Sequence, residues 1–177
     1  MKPIEPSENK IKELISLFDK KKFDQLLKLS NVLIDEFPKS ILIQNIQGVV
    51  HTELKNYKLA KNLFIKIVNL RPNYTDGHYN LANVYNKLDE KEKAIESYNK
   101  VIELDINYFK AHNNLGNIYR KKGLNKKAIE YYLSTLEINS NYKVAYYNLA
   151  GALQFYKINT KNKNINKYLL HPVSYTH

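Results

Sequence analysis

The chain has 177 residues, of which 28 are basic, 17 acidic, five Gly, five Pro and none Cys, and its formal net charge is +11. The lack of Cys excludes disulfides, thiolate metal sites and cysteine nucleophiles, and 44% hydrophobic with 25% charged residues excludes a collagen-like or disordered chain. All basic residues except Arg71 and Arg120 are Lys, whereas nucleic-acid recognition favours the planar guanidinium of Arg, so we expect no nucleic-acid partner.

Residues 1–6 are predicted to form an N-terminal tail ahead of the first helix. The residues that follow are charged ones such as Glu8, Lys10 and Lys12, where a secretory signal would need an apolar run. The composition also gives no indication of a membrane span. We therefore expect a cytoplasmic protein with no membrane partner.

From residue 7 onward the sequence repeats with a period of 34 residues. A shift by one period superimposes small residues on small residues and aromatic residues on aromatic residues. The small sets are Gly48, Ala82, Gly116 and Ala150, and Ala60, Ala94 and Ala128; the aromatic set is Phe64, Tyr98 and Tyr132. The periodicity predicts repeats at 7–40, 41–74, 75–108 and 109–142, with a partial fifth repeat at 143–156.

Each repeat is predicted to be a pair of antiparallel helices that must stack on the next pair to bury its apolar face. Small residues lie where the two backbones approach, and the aromatic side chains fill the spaces between them. Pro38 and Pro72 are predicted to end the second helices of the first two repeats, because proline cannot continue a helix. The first repeat departs from the pattern, with Leu14 and Leu26 at its two small positions, and we interpret it as a terminal cap.

The two most regular copies, 75–108 and 109–142, share one motif in each of their two helices. They read His78-x2-Leu81-Ala82-x2-Tyr85 with Ala94-x3-Tyr98, and His112-x2-Leu115-Gly116-x2-Tyr119 with Ala128-x3-Tyr132. These motifs resemble the tetratricopeptide repeat. The resemblance covers residues 7–156 and implies an all-α fold, a right-handed α-solenoid of antiparallel helix pairs.

Beyond Tyr156 the pattern fails, with Asn162 and Asn166 at the small and aromatic positions, so residues 157–177 are predicted to be an irregular tail. The segment Pro172–His177 can be back-translated into a sequence that resembles the transposon-end adaptor of sequencing libraries. We interpret the last residues as a sequencing artefact and expect the natural protein to be longer, the alternative being a genuine short tail.

The sequence contains no H-E-x-x-H pair, no glycine-rich phosphate loop and no nucleophile elbow. His78 and His112 lie one period apart, where members of the resembled family usually have a large aromatic residue, and we interpret them as packing residues rather than ligands. We therefore expect the chain to be no enzyme and to need no metal, cofactor or small-molecule ligand.

The resemblance implies that the first helices line a concave groove that binds a protein or an extended peptide. Asn80, Asn114 and Asn148 recur in this groove at the same position, and an amide offers both a hydrogen-bond acceptor and donors to a peptide backbone. This pattern resembles the asparagine ladder of O-linked N-acetylglucosamine transferase superhelices and of bacterial tandem-repeat proteins. The other predicted groove residues are Tyr79, Asn83, Asn113, Asn117, Tyr147, Lys87, Lys110, Arg120 and Lys121.

Several alternatives remain open at this point. The asparagines could be simple repeat inheritance, or the groove cations could instead bind an acidic partner. The chain could be the substrate-selecting arm of a larger transferase whose catalytic domain is missing from the fragment, and RNA binding by pentatricopeptide-like repeats is disfavoured by the strict 34-residue register. The carboxylate clamp of chaperone-tail binders is not expected, because its aligned positions lack Lys and Arg; they are Tyr79, Asn83, Asn114, Val144 and Asn148.

Overall fold

A computed structural model describes residues 5–156, which contain nine α-helices and no β-strand. The helices are α1 Glu8–Asp19, α2 Phe23–Glu36, α3 Ile41–Glu53, α4 Tyr57–Leu70, α5 Thr75–Lys87, α6 Lys91–Leu104, α7 Phe109–Lys121, α8 Asn125–Ile138 and α9 Lys143–Leu153. Each of the four predicted repeats contains two of these helices, and α9 lies in the partial one. None of the nine is long and apolar enough to cross a lipid bilayer. The predicted tail 157–177, with its artefact interpretation, lies outside the described residues.

The turn between the two helices of each repeat has the same backbone conformation in four copies. Lys21, Lys55, Asp89 and Gly123 have φ angles of 53°, 60°, 60° and 75°, and they are spaced one period apart. A left-handed residue reverses the chain sharply enough to place the second helix antiparallel to the first. The first repeat therefore follows the common geometry in its turn, although its sequence departs from the pattern.

The helices form two compact parts whose boundary falls within α6, between Lys100 and Val101. In the N-terminal part, α1 to α5 pack in chain order, and α3 also contacts α5. In the C-terminal part, α8 packs between α7 and α9, and α7 also contacts α9. In each part, the first helices of neighbouring repeats therefore touch each other.

The close approach of small and aromatic residues explains the glycines of the first helices. A Cβ atom placed on Gly48 would lie 2.6 Å from the ring of Phe64, and one on Gly116 would lie 2.5 Å from the ring of Tyr132. Both rings are almost fully buried. In the first repeat the sizes are exchanged: Leu14 stands at the small position and Ser30 at the aromatic one, and both are fully buried.

The second helices of the repeats end in two different ways, at a proline or at an Asx turn. The helices α2 and α4 end two residues before Pro38 and Pro72, as the sequence predicts. In the next two repeats, which lack proline there, a side-chain oxygen accepts the backbone N–H two residues further on: Asp105 from Asn107 at 3.0 Å, and Asn139 from Asn141 at 3.1 Å. Such Asx turns compete with continued helix, so they replace the proline.

The described end of the predicted N-terminal tail packs against the third helix. Pro6 is buried, and the hydroxyl of Ser40 donates a hydrogen bond to the carboxylate of Glu5. Ser40 also accepts the backbone N–H of Ile43 at 3.1 Å, which caps α3. Glu5 therefore lies at the amino end of α3, where the helix dipole favours a negative charge.

Candidate peptide-binding site

The predicted groove residues lie on three first helices and differ in exposure. Asn113 is buried, with 3% of its surface exposed, and the three ladder asparagines are half-buried. The four cations and Tyr147 are exposed. By helix, they are Tyr79, Asn80, Asn83 and Lys87 on α5, Lys110, Asn113, Asn114, Asn117, Arg120 and Lys121 on α7, and Tyr147 and Asn148 on α9.

Two ladder asparagines pair with an amide on the preceding first helix. The Nδ2 of Asn80 donates to the Oδ1 of Asn45 at 3.0 Å, and the Nδ2 of Asn148 donates to the Oδ1 of Asn113 at 2.9 Å. In both pairs, the sixth residue of one repeat bonds to the fifth residue of the repeat before it. The structure thus brings Asn113 and Asn148 together, and it adds Asn45, which the repeat pattern does not indicate because the corresponding residue of the next repeat is Tyr79.

Asn83 and Asn117 bind the buried tyrosines of their own repeats. The Oδ1 of Asn83 accepts the hydroxyl of Tyr98 at 2.5 Å, and the Oδ1 of Asn117 accepts the hydroxyl of Tyr132 at 2.8 Å. A buried hydroxyl needs such a partner, because an unpaired one costs about 1–3 kcal/mol. These two predicted groove residues therefore hold the first helix to the second within a repeat.

The repeat 41–74 shows the same pair of positions in apolar form. It has Phe64 where the later repeats have tyrosine, and Val49 where they have asparagine. The hydroxyl and its amide partner are thus present together or absent together. This joint exchange was readable from the aligned repeats, and it is the sequence signal that distinguishes these asparagines from the ladder.

Arg120 connects the exposed surface of α7 to this buried pair. Burial raises the pKa of the Tyr132 hydroxyl to about 12, while the nearby guanidinium of Arg120, which also hydrogen-bonds to it, acts in the opposite direction. A predicted groove cation is therefore held by contact with the core. Its charge remains available to solvent, since Arg120 is exposed.

The fourth position of every repeat after the first carries a hydrogen bond to the carbonyl oxygen six residues earlier. Gln44 donates to Pro38 at 3.2 Å and Tyr146 to Ser140 at 3.1 Å. The Nε2 atoms of His78 and His112 bond to the carbonyls of Pro72 and Ile106 at 2.8 and 3.0 Å. Glutamine, tyrosine and histidine all make this contact, so the contact does not depend on the chemistry of histidine. His78 and His112 therefore join α5 and α7 to the loops that precede them.

No group of three acidic, histidine or cysteine side chains within residues 5–156 is arranged to hold a metal ion. The histidines at the fourth position use one ring nitrogen for the carbonyl bond, and the Nδ1 of His112 is buried without a partner in the described part of the chain. The chemistry that the site offers is therefore hydrogen bonding by amides, together with exposed positive charge.

The stacked helix pairs and their repeated contacts define a helical-repeat protein. The family profile described as tetratricopeptide repeat matches residues 75–108 and 109–142, which are two of the predicted repeats with the same boundaries. A search of curated protein sequences found no match. The recognition of tetratricopeptide repeats in this chain is confirmed by the two matched repeats and by the fold.

Solved structures with similar folds include several tetratricopeptide repeat proteins. The crystal structure of MamA superposes with a TM-score of 0.73 at 24% identity, covering 86% of this chain and 88% of MamA. MamA residues 41 to the end from Desulfovibrio magneticus RS-1 give a TM-score of 0.69 at 24% identity, with 76% of each chain covered. YrrB, described as a TPR protein with an unusual peptide-binding site, gives 0.68 at 18% identity, covering 93% of this chain and 83% of YrrB. These likenesses confirm the all-α solenoid fold class.

Proposed function

We propose that the chain is a protein-interaction module that binds an extended peptide through the amides of its first helices. The observation that carries the proposal is the pairing of Asn80 with Asn45 and of Asn148 with Asn113, at equivalent positions of different repeats. Each pair holds its ladder asparagine, Asn80 or Asn148, in a set orientation and leaves the Oδ1 of that asparagine outside the pair's bond. Groups held in place before binding lose less entropy when the peptide arrives.

The fold supports this proposal, because stacked repeats present long surfaces that such proteins use for binding. YrrB, which has the same fold, is described as having a peptide-binding site. The ladder residue Asn114 on α7 stands at the same position of its repeat as Asn80 and Asn148 do in theirs. Amides that pair with a peptide backbone read its extended shape and not its side chains, so the expected partner is an extended segment of broad sequence.

The test measures the affinity of the full chain for an array of twelve-residue peptides. The same affinities are then measured for a triple variant in which Asn80, Asn114 and Asn148 are all replaced by Ala. Each amide bond contributes on the order of 1 kcal/mol, so the triple variant should bind roughly a hundredfold more weakly. Affinity should change little between low and physiological salt, since the bonds involve neutral groups.

A matched control replaces three exposed asparagines of second helices, Asn62, Asn69 and Asn99, by Ala. It also removes three asparagine side chains, but it leaves the first helices unchanged. Its affinity for the peptides should therefore equal that of the unaltered chain. If the ladder variant also binds normally and affinity falls steeply with salt, exposed cations such as Lys87, Lys110 and Lys121 bind an acidic partner instead, and the proposal fails. It fails equally if the unaltered chain binds no peptide on the array.

A further inference from the structure

A small apolar hollow opens between the first helices of the first two predicted repeats. It lies between α1 and α3 and has a volume of about 140 Å³. Five of its six lining residues are apolar, and the sixth is Asn45; the apolar ones are Leu14, Ile15, Phe18, Ile46 and Val49. Ile15 is 49% exposed, so the hollow opens to solvent and is not sealed in the core.

The hollow is continuous with the first amide pair through Asn45. The Oδ1 of Asn45 accepts the hydrogen bond from Asn80, so the Nδ2 of Asn45 and the Oδ1 of Asn80 are not used in that bond. Neither of these two atoms is among the buried, unpartnered polar atoms of the described residues. The pair thus has one further donor, on Asn45, and one further acceptor, on Asn80, and Asn45 lines the apolar depression.

A backbone amide of an extended peptide matches this edge. In an extended segment, one residue presents its N–H and its C=O on the same side, while neighbouring side chains point to alternate faces. The N–H can donate to Asn80 and the C=O can accept from Asn45. A side chain close to that residue then faces the apolar hollow.

We propose that this hollow is an anchor pocket for one apolar side chain of leucine or phenylalanine size, carried by the extended peptide; the inference rests on the proposed function. The volume fits this size, because a cavity of about 150 Å³ lined by Leu, Ile and Phe holds a benzene molecule. A charged side chain is disfavoured, since the lining offers no opposite charge to pair with it.

The size of the hollow also argues against a second copy of this chain as the occupant. A stable protein–protein interface buries about 800 Å² on each partner, whereas this depression accommodates a single side chain. The amide edge adds polar complementarity that a peptide backbone satisfies and that an apolar helix face does not. The pocket therefore selects one position of a peptide that the amides bind without sequence preference.

The experiment uses capped nine-residue peptides of alternating Ser and Thr with one guest residue at the centre. The guests are Ala, Leu, Phe, Glu and Lys, and fluorescence anisotropy gives their affinities for the full chain. Leu and Phe guests should bind about 10- to 100-fold more tightly than Ala, as expected for burying one such side chain. Glu and Lys guests should bind no better than Ala.

Two variants separate the pocket from the amides. Ile15→Lys places a charge at the rim of the hollow and should reduce the preference for Leu over Ala to nearly nothing. Val32→Lys is its matched control, because Val32 is an apolar residue of α2 with 58% of its surface exposed, and it should keep the full preference. Asn80→Ala should weaken the binding of every guest by a similar factor.

The possible failures are distinguishable. If all guests bind equally and Asn80→Ala weakens them all, the anchor pocket is wrong and the proposed function stands. If no guest binds, the proposed function fails and the pocket with it. A folded Ile15→Lys protein that keeps the full preference for Leu would place the apolar contact elsewhere and overturn the inference. Equal binding of all guests to the unaltered chain overturns it without any variant, and circular dichroism shows whether Ile15→Lys is folded.

Discussion

Single residues in the inter-helix turns carry a backbone cost that the repeats tolerate. Lys21, Lys55 and Asp89 have left-handed φ angles, which cost a residue other than glycine about 1–2 kcal/mol, while the fourth repeat places Gly123 at this position. A Cβ atom on Gly123 would meet no atom within 4 Å, so its role is conformational and does not depend on space. The spacing of one period shows that the turn geometry belongs to the repeat, whichever residue occupies it.

The replacement Lys55→Gly should therefore stabilise the protein. Glycine relieves the strain at φ 60° and adds some entropy to the unfolded chain, so a net gain of about 0.5–1 kcal/mol is expected in the free energy of unfolding by urea. Gly123→Ala should lose a similar amount at the equivalent position. A lower stability for Lys55→Gly would show that the Lys55 side chain has contacts that outweigh the strain.

A second prediction at the residue scale concerns the hydrogen bonds between the buried tyrosines and their asparagine partners. Tyr132→Phe leaves the Asn117 acceptor without its bond, and Asn117→Val leaves the buried hydroxyl without its amide acceptor, with only the Arg120 side chain beside it, so each should cost about 1–2 kcal/mol of stability. The double variant copies Phe64 and Val49 of the repeat 41–74, and it should cost about 1 kcal/mol less than the two single losses added together. A double-mutant cycle by urea unfolding measures this coupling; strictly additive losses would contradict the pairing.

At the scale of elements, α9 is covered on one side by the described residues. Its inner residues Ala145, Leu149 and Ala152 pack on α8 in the C-terminal core. Val144 and Tyr147 of α9 are exposed, as is Phe155 two residues after the helix, and Ala150 is also exposed, whereas Gly48, Ala82 and Gly116 at the same position are buried. The small residue at this position meets an aromatic ring only where a second helix follows within the described range.

Hydrogen exchange should consequently be faster in α9 than in the helix pair before it. In a stacked array each repeat is held by its neighbours, so a helix covered on one side opens at a lower free energy than one covered on both. Mass-spectrometric exchange should give the slowest amides in α7 and α8. Equal protection of α7 and α9 would mean that the exposed side of α9 is covered in solution, by the residues after Tyr156 or by another molecule.

At the scale of the whole molecule, several tyrosines make stability depend on alkaline pH. Burial raises the pKa of Tyr74 and Tyr131 and takes that of Tyr132 to about 12. A raised pKa in the folded state means that the neutral form is favoured by folding. The stabilisation is therefore complete below pH 10, the ordinary tyrosine value, and is lost as pH rises from about 10 towards 12.

The melting temperature should thus fall between pH 10 and 12, and less steeply in Tyr132→Phe. Lysines titrate in the same interval, so the comparison requires a matched variant. Tyr147→Phe is this matched variant, because Tyr147 is 54% exposed. The pH dependence of its melting temperature should equal that of the unaltered chain. If Tyr132→Phe and Tyr147→Phe give the same pH dependence, burial of the Tyr132 hydroxyl does not contribute to the alkaline loss of stability.

The fold could be predicted from the sequence because the residues that specify the helix pairs recur periodically and act on near neighbours in the chain. Small and aromatic residues at intervals of 34 predict helix pairs, and the family profile matches two of the predicted repeats with the same boundaries. The candidate peptide-binding site could be predicted only in part from the sequence. The recurrence of Asn80, Asn114 and Asn148 identified a position of interest, but the partners Asn45 and Asn113 stand one residue out of that register on the neighbouring first helix.

The sequence by itself thus determined the class of helix pair, the length of the repeat and the residues that stand in equivalent places. Only the tertiary structure decided which of those residues meet: it assigned Asn83 and Asn117 to buried tyrosines, paired Asn80 with Asn45, and opened a hollow beside Asn45. The physical reason is that helix formation depends on neighbours within a few positions along the chain. Hydrogen bonds between side chains and the shape of a pocket depend instead on distances between separate helices, set by the packing of every residue between them.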